Sequence, residues 1–404
     1  MRIVVVNCYR RRQGGVEDYL AAIIPALHEA GHEVSFCHEI DSPSDQENII
    51  LPPGAPAWCV DQLGIEQTVA AIREWRPDVI ATHNVLSVEL ESQIIAIVPA
   101  VFFAHDYQRT CISGSKTFQQ PVAEPCERRF GWQCLVHYFP RRCGGLNPVT
   151  MFTLYRKQTH RIELIKNYKS GLTHSEHMRR ECIRNGIPAE RVFALPYYVR
   201  RLEHDDSASR PRPTTLERLW RLTFAGRMDQ LKGGRLLIEA LPLLRTVAGR
   251  SLHVVFAGDG PARRDWEKAA SVLNHSDSDV RVEFVGWLRE SQLIALFDAS
   301  DLLVMPSVWP EPFGTVGVQA AIEGLPCAAF NVGGISEWLI DGITGHLAPG
   351  DPPTPQGLVG AIVKCLSDRT HYLNLRKAAA EYASRFGAES HVPVIVRILE
   401  AATN

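Results

Sequence analysis

Pro310-Glu311-Pro312-Phe313-Gly314-Thr315-Val316-Gly317-Val318-Gln319-Ala320-Ala321-Ile322-Glu323-Gly324 lies between two short apolar runs, residues 301–307 and 326–330. Those runs have the length and composition of buried strands, so the passage reads as strand, loop, helix, strand. Pro312 and Gly314 forbid a helix in the loop, Thr315 is the expected N-cap, and Gly324 with Pro326 stops the helix about two and a half turns later. A helix opening at the carboxyl end of a strand offers free N–H groups and the positive end of its dipole, which is an anion site. Glu311, just ahead of those donors, can accept hydrogen bonds from hydroxyl groups of the same ligand. The two features together suit a ligand that is part anion and part polyol, such as a phosphorylated sugar. A solvated carboxylate beside an ordinary turn is the competing reading.

Outward from this stretch, the second half of the chain carries strand-type runs at 221–225, 253–257, 282–285, 301–305 and 327–330, separated by helix-like segments. The first half repeats the alternation, with strands expected at 2–7, 33–37, 78–82 and 100–104 and helices from 16 and over 65–75. Strand and helix alternating at these lengths mean parallel sheets covered by helices. Residues 107–148 have no period and accumulate Gly, Pro and Arg, so they read as an insert or lid. A basic helix is expected over 150–170, then strand, helix and strand through 172–197, and a polar, Pro-rich linker over 201–217.

With 404 residues, 45% apolar and 22% charged, the chain is an ordinary globular protein with room for two domains. A net charge of −2 argues against a general nucleic-acid binder. The average hides an asymmetry: residues 141–201 hold thirteen Lys and Arg against four Glu, an excess that suits an anionic membrane face and equally a solvated basic face or a lining of the donor cleft. No run is long enough to span a bilayer, and the apolar start at Met1 is too short for a signal peptide, so the expectation is a cytoplasmic chain. Ten cysteines without framework spacing suit a reducing compartment. Cys111, Cys126, Cys134 and Cys143 share the insert but include no close pair, which favours free thiols over a metal site or disulfides.

The Glu311 stretch resembles the Glu-Pro-Phe-Gly signature of retaining glycosyltransferases of family 4, which has a second Glu where this chain has Gln319. Gly226-Arg227…Lys232-Gly233-Gly234, Gly258-Asp259-Gly260-Pro261 and Val285-Gly286-Trp287 resemble the remaining motifs of that family's second domain. The resemblance implies a GT-B fold, two doubly wound Rossmann-like domains facing across a cleft. Residues 206–385 would be the nucleotide-sugar domain, and residues 1–205, with a crossover helix over 386–404, the acceptor domain. It implies catalytic roles for Glu311, Arg227, Lys232 and His105. Donor contacts are implied for Gly14, Gly15, Gly226, Gly258, Gly286, Trp287, Phe313, Gly314, Thr315, Val316 and Gln319. The donor would be a UDP- or GDP-type sugar, the acceptor a sugar or lipid-linked sugar, with no cofactor and no metal.

Read as chemistry, Arg227 offers a planar fork and Lys232 a movable point charge to phosphate oxygens. Two ordinary surface cations are the bland alternative. Gly14-Gly15 is not a dinucleotide fingerprint, so no nicotinamide cofactor is expected. His105 taken alone reads as a hydrogen-bonded structural residue. Asp277-Ser278-Asp279 looks like a metal-binding Asp-x-Asp but lies in a polar loop far from the strand ends, and reads as a solvated turn. Three rival functions remain: a sugar-nucleotide 2-epimerase, a non-catalytic sugar-nucleotide-binding subunit, and a phosphorylase, for which no pyridoxal-phosphate lysine signature is present.

Overall fold

The computed structural model describes residues 1–12, 14–41, 48–199, 219–276 and 279–404. The chain divides into two compact units: Met1–Lys116 with Glu127–Arg200 and Phe386–Asn404, and Thr117–Cys126 with Arg201–Arg385. The linker expected over 201–217 lies outside the described residues.

Unit 1 is built on strands β1 (Arg2–Tyr9), β2 (Glu33–Ile40), β3 (Ala57–Cys59), β4 (Val79–Thr82), β5 (Ala100–Ala104), β8 (Ser170–Thr173) and β9 (Val192–Ala194). A small hairpin, β6 (Thr117–Phe118) with β7 (Glu124–Pro125), interrupts the series. The sheet order is β3-β2-β1-β4-β5-β8-β9, every pair parallel. Its helices are α1 (Gly15–Glu29), α2 (Val60–Leu63), α3 (Ile65–Trp75), α4 (Val88–Ile94), α5 (Gln133–Tyr138), α6 (Pro148–Ile165) and α7 (Glu176–Arg184). Ile3, Val4, Val5 and Val6 are all buried, as a strand covered on both faces requires.

Unit 2 repeats the plan with β10 (Leu219–Ala225), β11 (Ser251–Ala257), β12 (Val280–Gly286), β13 (Leu302–Met305), β14 (Cys327–Phe330) and β15 (Gly345–Ala348), in the order β12-β11-β10-β13-β14-β15. Its helices are α8 (Gly234–Ala248), α9 (Arg263–Ser276), α10 (Glu290–Ala299), α11 (Thr315–Ile322), α12 (Pro355–Leu366) and α13 (Arg369–Ala383). The last helix, α14 (Ala388–Thr403), belongs to unit 1, where it packs on α1. In both sheets the chain starts mid-sheet and reverses direction, between β1 and β4 and between β10 and β13. Such switch points leave a crevice beyond the strand ends, where open α/β sheets bind ligands.

Several expectations are corrected. The helix expected over 150–170 stops at Ile165, because Ser170 is already a core strand residue paired with Val101. The featureless insert contains a hairpin and α5, and its start is tied down by a 2.5 Å ion pair between buried Lys116 and Glu181 of α7. The basic span 141–201 is not one face. Arg179 is taken by Glu176 and the Val192 carbonyl, Arg184 by Glu181, and Arg191 by carbonyls of Lys166 and Lys169. Strand β2 runs past its expected end to include Glu39, whose carboxylate accepts from the amides of Leu86 and Ser87 ahead of α4.

Candidate functional site

In unit 2 three loops leave the ends of β10, β11 and β12, and glycines let them interlock. The Gly226 amide bonds the Ala257 carbonyl at 3.0 Å, and the Gly258 amide bonds the Gly286 carbonyl at 2.7 Å. A Cβ on Gly258, whose φ is +127°, would lie 2.0 Å from the Gly226 oxygen. Beside Gly286, Trp287 is largely exposed. Asp229 caps the next turn, its carboxylate accepting from the amides of Leu231 and Lys232, and so sets where the Lys232 side chain begins. Gly233 follows at φ +69°, and any side chain there would strike the Pro306 carbonyl at 1.8 Å. The loops after β10 and β13, which flank the switch point, are therefore in backbone contact.

Across that switch point Lys232 Nζ donates to Glu311 Oε1 at 2.7 Å, and Ser307 Oγ donates to the same oxygen at 2.5 Å. Glu311 is 3% exposed, and among the described residues no bond falls on its Oε2. The backbone of Glu311 is gripped from behind: the Gly334 amide bonds its carbonyl at 2.7 Å, and Gly333 comes too close for any side chain. Trp309 lies against Lys232, the ammonium 5.1 Å from the ring centroid. Arg227 stands exposed on the β10 loop.

The expected N-cap is corrected. Gly314, at φ 92° and ψ 56°, caps α11, and Thr315 is the first helical residue. Trp338 explains this geometry: its Nε1 donates to the buried Phe313 carbonyl at 2.6 Å, and its ring fills the space a Cβ on Gly317 would need, 1.9 Å away. No side chain caps α11, so the amides of Thr315 and Val316 point outward from the helix start with its dipole behind them. Gln319 is half-buried on the next turn, while Glu323 is the C-cap residue at the far end.

Unit 1 fills the same topological position differently. Gly14 is the N-cap of α1 and Gly15 its first residue, so the diglycine does open a helix after β1. Behind it lies a buried cluster of His83, His105, His174, Tyr19, Tyr197 and His391. His83 Nδ1 and His105 Nε2 are 2.7 Å apart, and His105 Nδ1 meets the Tyr197 hydroxyl at 2.5 Å. Tyr19 reaches His391 Nε2 at 2.9 Å, and His391 Nδ1 bonds the Pro196 carbonyl at 2.9 Å. Burial, then the neighbouring His83 and Arg109 charges, hold the His105 pKa well below the usual imidazole value. Burial likewise lowers His391 to about 4. Both ring nitrogens of His105 are engaged and the residue is 5% exposed.

Two family models match the chain, glycosyl transferases group 1 over residues 220–368 and glycosyltransferase family 4 over residues 13–142. Residues 13–142 match family 4 itself, and with the group 1 region most of the chain is matched to glycosyltransferases. It is 31% identical to the glycogen synthase of Mycobacterium tuberculosis over 317 residues, a match covering 73% of this chain and 62% of that enzyme. It is 32% identical to the lipopolysaccharide 1,2-N-acetylglucosaminetransferase of Salmonella typhimurium over 174 residues, 42% of this chain and 45% of the relative. The matches thus span less than two thirds of these relatives. Among solved structures, sucrose-phosphate synthase of Thermosynechococcus elongatus superposes with a TM-score of 0.73 at 20% identity over 99% of both chains. Anabaena HepE in complex with UDP and glucose gives 0.68 at 18% identity, covering 99% of this chain and 100% of that one. The fold is GT-B.

The structure joins Lys232, Glu311, Gly226, Gly258, Gly286, Phe313, Gly314, Thr315, Val316 and Gln319 around one switch point, and it sets Gly14, Gly15 and His105 in the other unit. Of the Asp-x-Asp sequence, Asp277 and Ser278 lie outside the described residues. Asp279 pairs with Arg245 and Ser251 at the amino ends of β11 and β12, away from the crevice. Among the described residues no group of three or more His, Cys, Asp or Glu is placed to hold a metal ion. The sequence reading missed Ser307, Asp229, Trp309, Trp338 and the Gly333-Gly334 turn. Asp229 alone had a local signal, an N-cap residue just ahead of a short turn.

Proposed function

We propose that the protein is a retaining hexosyltransferase that moves a hexosyl group from a UDP- or GDP-type sugar to a hydroxyl of a sugar or lipid-linked acceptor, in cell-surface polysaccharide or glycolipid synthesis. The observation that carries this is the Lys232–Glu311 pair across the β10/β13 switch point, beside the uncapped start of α11. Glu311, held by Lys232, Ser307 and the Gly334 amide, keeps Oε2 for the sugar hydroxyls. Arg227, Lys232 and the amides of Thr315 and Val316 oppose the charge that grows on the departing diphosphate, the electrostatic term that dominates many enzymes. In the step proposed, the bond from the anomeric carbon to the phosphate oxygen breaks and the acceptor oxygen bonds that carbon on the same face. The acceptor proton passes to the leaving phosphate oxygen, releasing the nucleoside diphosphate. No second carboxylate is used, unlike a retaining hydrolase, and no metal or cofactor is assigned.

Gly14 and Gly15 at the start of α1 are assigned to the donor sugar and diphosphate, and His105, without direct contact, positions Tyr197 and His83. Ten cysteines without framework spacing support a reducing, cytoplasmic setting. A screen of UDP-, GDP- and ADP-sugars tests the assignment, since slow hydrolysis needs no acceptor. Free nucleotide and sugar support it. An epimerised nucleotide sugar, or tight binding with no turnover of any donor or acceptor pair, replaces it with one of the rivals.

A further inference from the structure

From Arg128 to Ile162 the chain has no Asp or Glu and seven Lys and Arg. This segment carries α5 and the first turns of α6, and its own small core is complete: Tyr138, Cys143 and Met151 are buried, and Phe130 packs on Tyr155 with centroids 5.0 Å apart. Tyr138 also fills the space a side chain on Gly144 would need, which ties α5 to the approach of α6. Yet Trp132 is 67% exposed, Leu146 62%, Val149 72% and Phe152 55%. Asn147 caps α6 through the amides of Val149 and Thr150, so Leu146, Val149 and Phe152 are placed by an ordered helix start. The exposed cations Arg129, Arg142 and Arg156 lie in the same segment.

Large apolar side chains left in water beside a completed core mark an interaction surface, and a single sign of charge restricts the partner. A second copy docking through this face would bring like charges together. Nucleic acid would use the arginines and Trp132 but would gain nothing from Leu146 and Val149. An anionic bilayer uses all of them, aromatic and aliphatic groups entering the acyl boundary while guanidinium groups meet lipid phosphates. We propose that the face made by α5 and the start of α6 seats the protein on a membrane rich in anionic headgroups. The proposal does not rest on the donor site, because lipid binding is read without turnover.

The full chain is sedimented with vesicles of equal parts phosphatidylcholine and phosphatidylglycerol, and with phosphatidylcholine alone. The protein is expected to pellet with the mixed vesicles at low salt, to be released at high salt, and to ignore the neutral ones. The double variant Trp132→Ser, Phe152→Ser should lower vesicle affinity by about tenfold or more. Each of Arg129→Gln, Arg142→Gln and Arg156→Gln should lower it roughly fivefold. All these positions are exposed, so an unchanged melting midpoint verifies that the variants fold. The proposal is overturned if the wild type fails to pellet at low salt, or if the double variant binds as well as wild type. It is also overturned if Trp132→Ser abolishes a dimer, or if the face binds an oligonucleotide in preference to the mixed vesicles.

Discussion

The two units share a topology but fill their switch points with opposite materials. Unit 2 uses backbone: glycines at 226, 233, 258, 286 and 314, all at positive φ, bring loops close and leave a crevice edged by a few polar groups. Unit 1 uses side chains, packing four histidines and two tyrosines into the equivalent place until little polar surface is left open. A site that must admit a charged ligand keeps amides and cations accessible. A site filled by neutral imidazoles makes a rigid, dry foundation whose stability depends on those rings staying uncharged.

That contrast is most directly broken by acid. Burial lowers the pKa values of His83, His105 and His174 well below normal, and that of His391 to about 4. Below pH 6.5 the unfolded chain takes up protons that the folded rings refuse, so stability present at neutral pH is lost as the pH falls, down to about 4 for His391. Each ring then costs unit 1 at most about 1.4 kcal/mol per pH unit, and the four together up to about 8 kcal/mol by pH 5. Hydrogen exchange followed by mass spectrometry should show peptides of unit 1 losing protection before those of unit 2. Equal loss in both units, or a melting midpoint that is flat between neutral pH and pH 5, removes the distinction.

In unit 2 the expected effects are on chemistry with the fold intact. Glu311→Ala should lower turnover by about 10³-fold, since it removes the group assigned to position the sugar and leaves Lys232 without its partner. Near-normal turnover in that variant would dissolve the assignment. Arg227→Ala, at an exposed position, should cost roughly 10²-fold in turnover with an unchanged melting midpoint. A drop in stability of the same size would make it a structural residue. The smallest effect is expected at Gln319, which keeps a carbonyl acceptor but lacks the charge of the family's Glu. Gln319→Glu should lower the donor Michaelis constant by less than about tenfold and leave turnover alone. If the wild type is inert towards every nucleotide sugar while this variant turns one over, the binding-subunit reading replaces the enzyme.

The same contrast decides what could be read from the sequence. Helix α3 and strands β5 and β14 have the bounds their periodicity predicts, because each is a plain apolar pattern between clear breakers. Strand β15, Gly-His-Leu-Ala, and β3, Ala-Trp-Cys, went unread because so few residues carry no period, and only pairing with β14 and β2 makes them strands. The unit 2 crevice was legible because contiguous glycine motifs impose their own geometry. The histidine cluster was not, since Tyr19, His83, His105, His174, Tyr197 and His391 come from six separate segments and none has a local signature. Trp338 escaped for the same reason: its link to Phe313 spans helix α11 and strand β14.

The place of α14 bears on how the protein is made. Tyr19 and the Pro196 carbonyl both wait for His391, yet the ribosome must first add all of unit 2, roughly 10 to 40 seconds of elongation. Unit 2 can close as it emerges, whereas the older half of the nascent chain holds an unfilled berth until the last helix leaves the exit tunnel. Nascent unit 1 is therefore the natural client for a chaperone. A chain stalled before residue 388 should stay protease-sensitive in its first half even when its second half has become resistant.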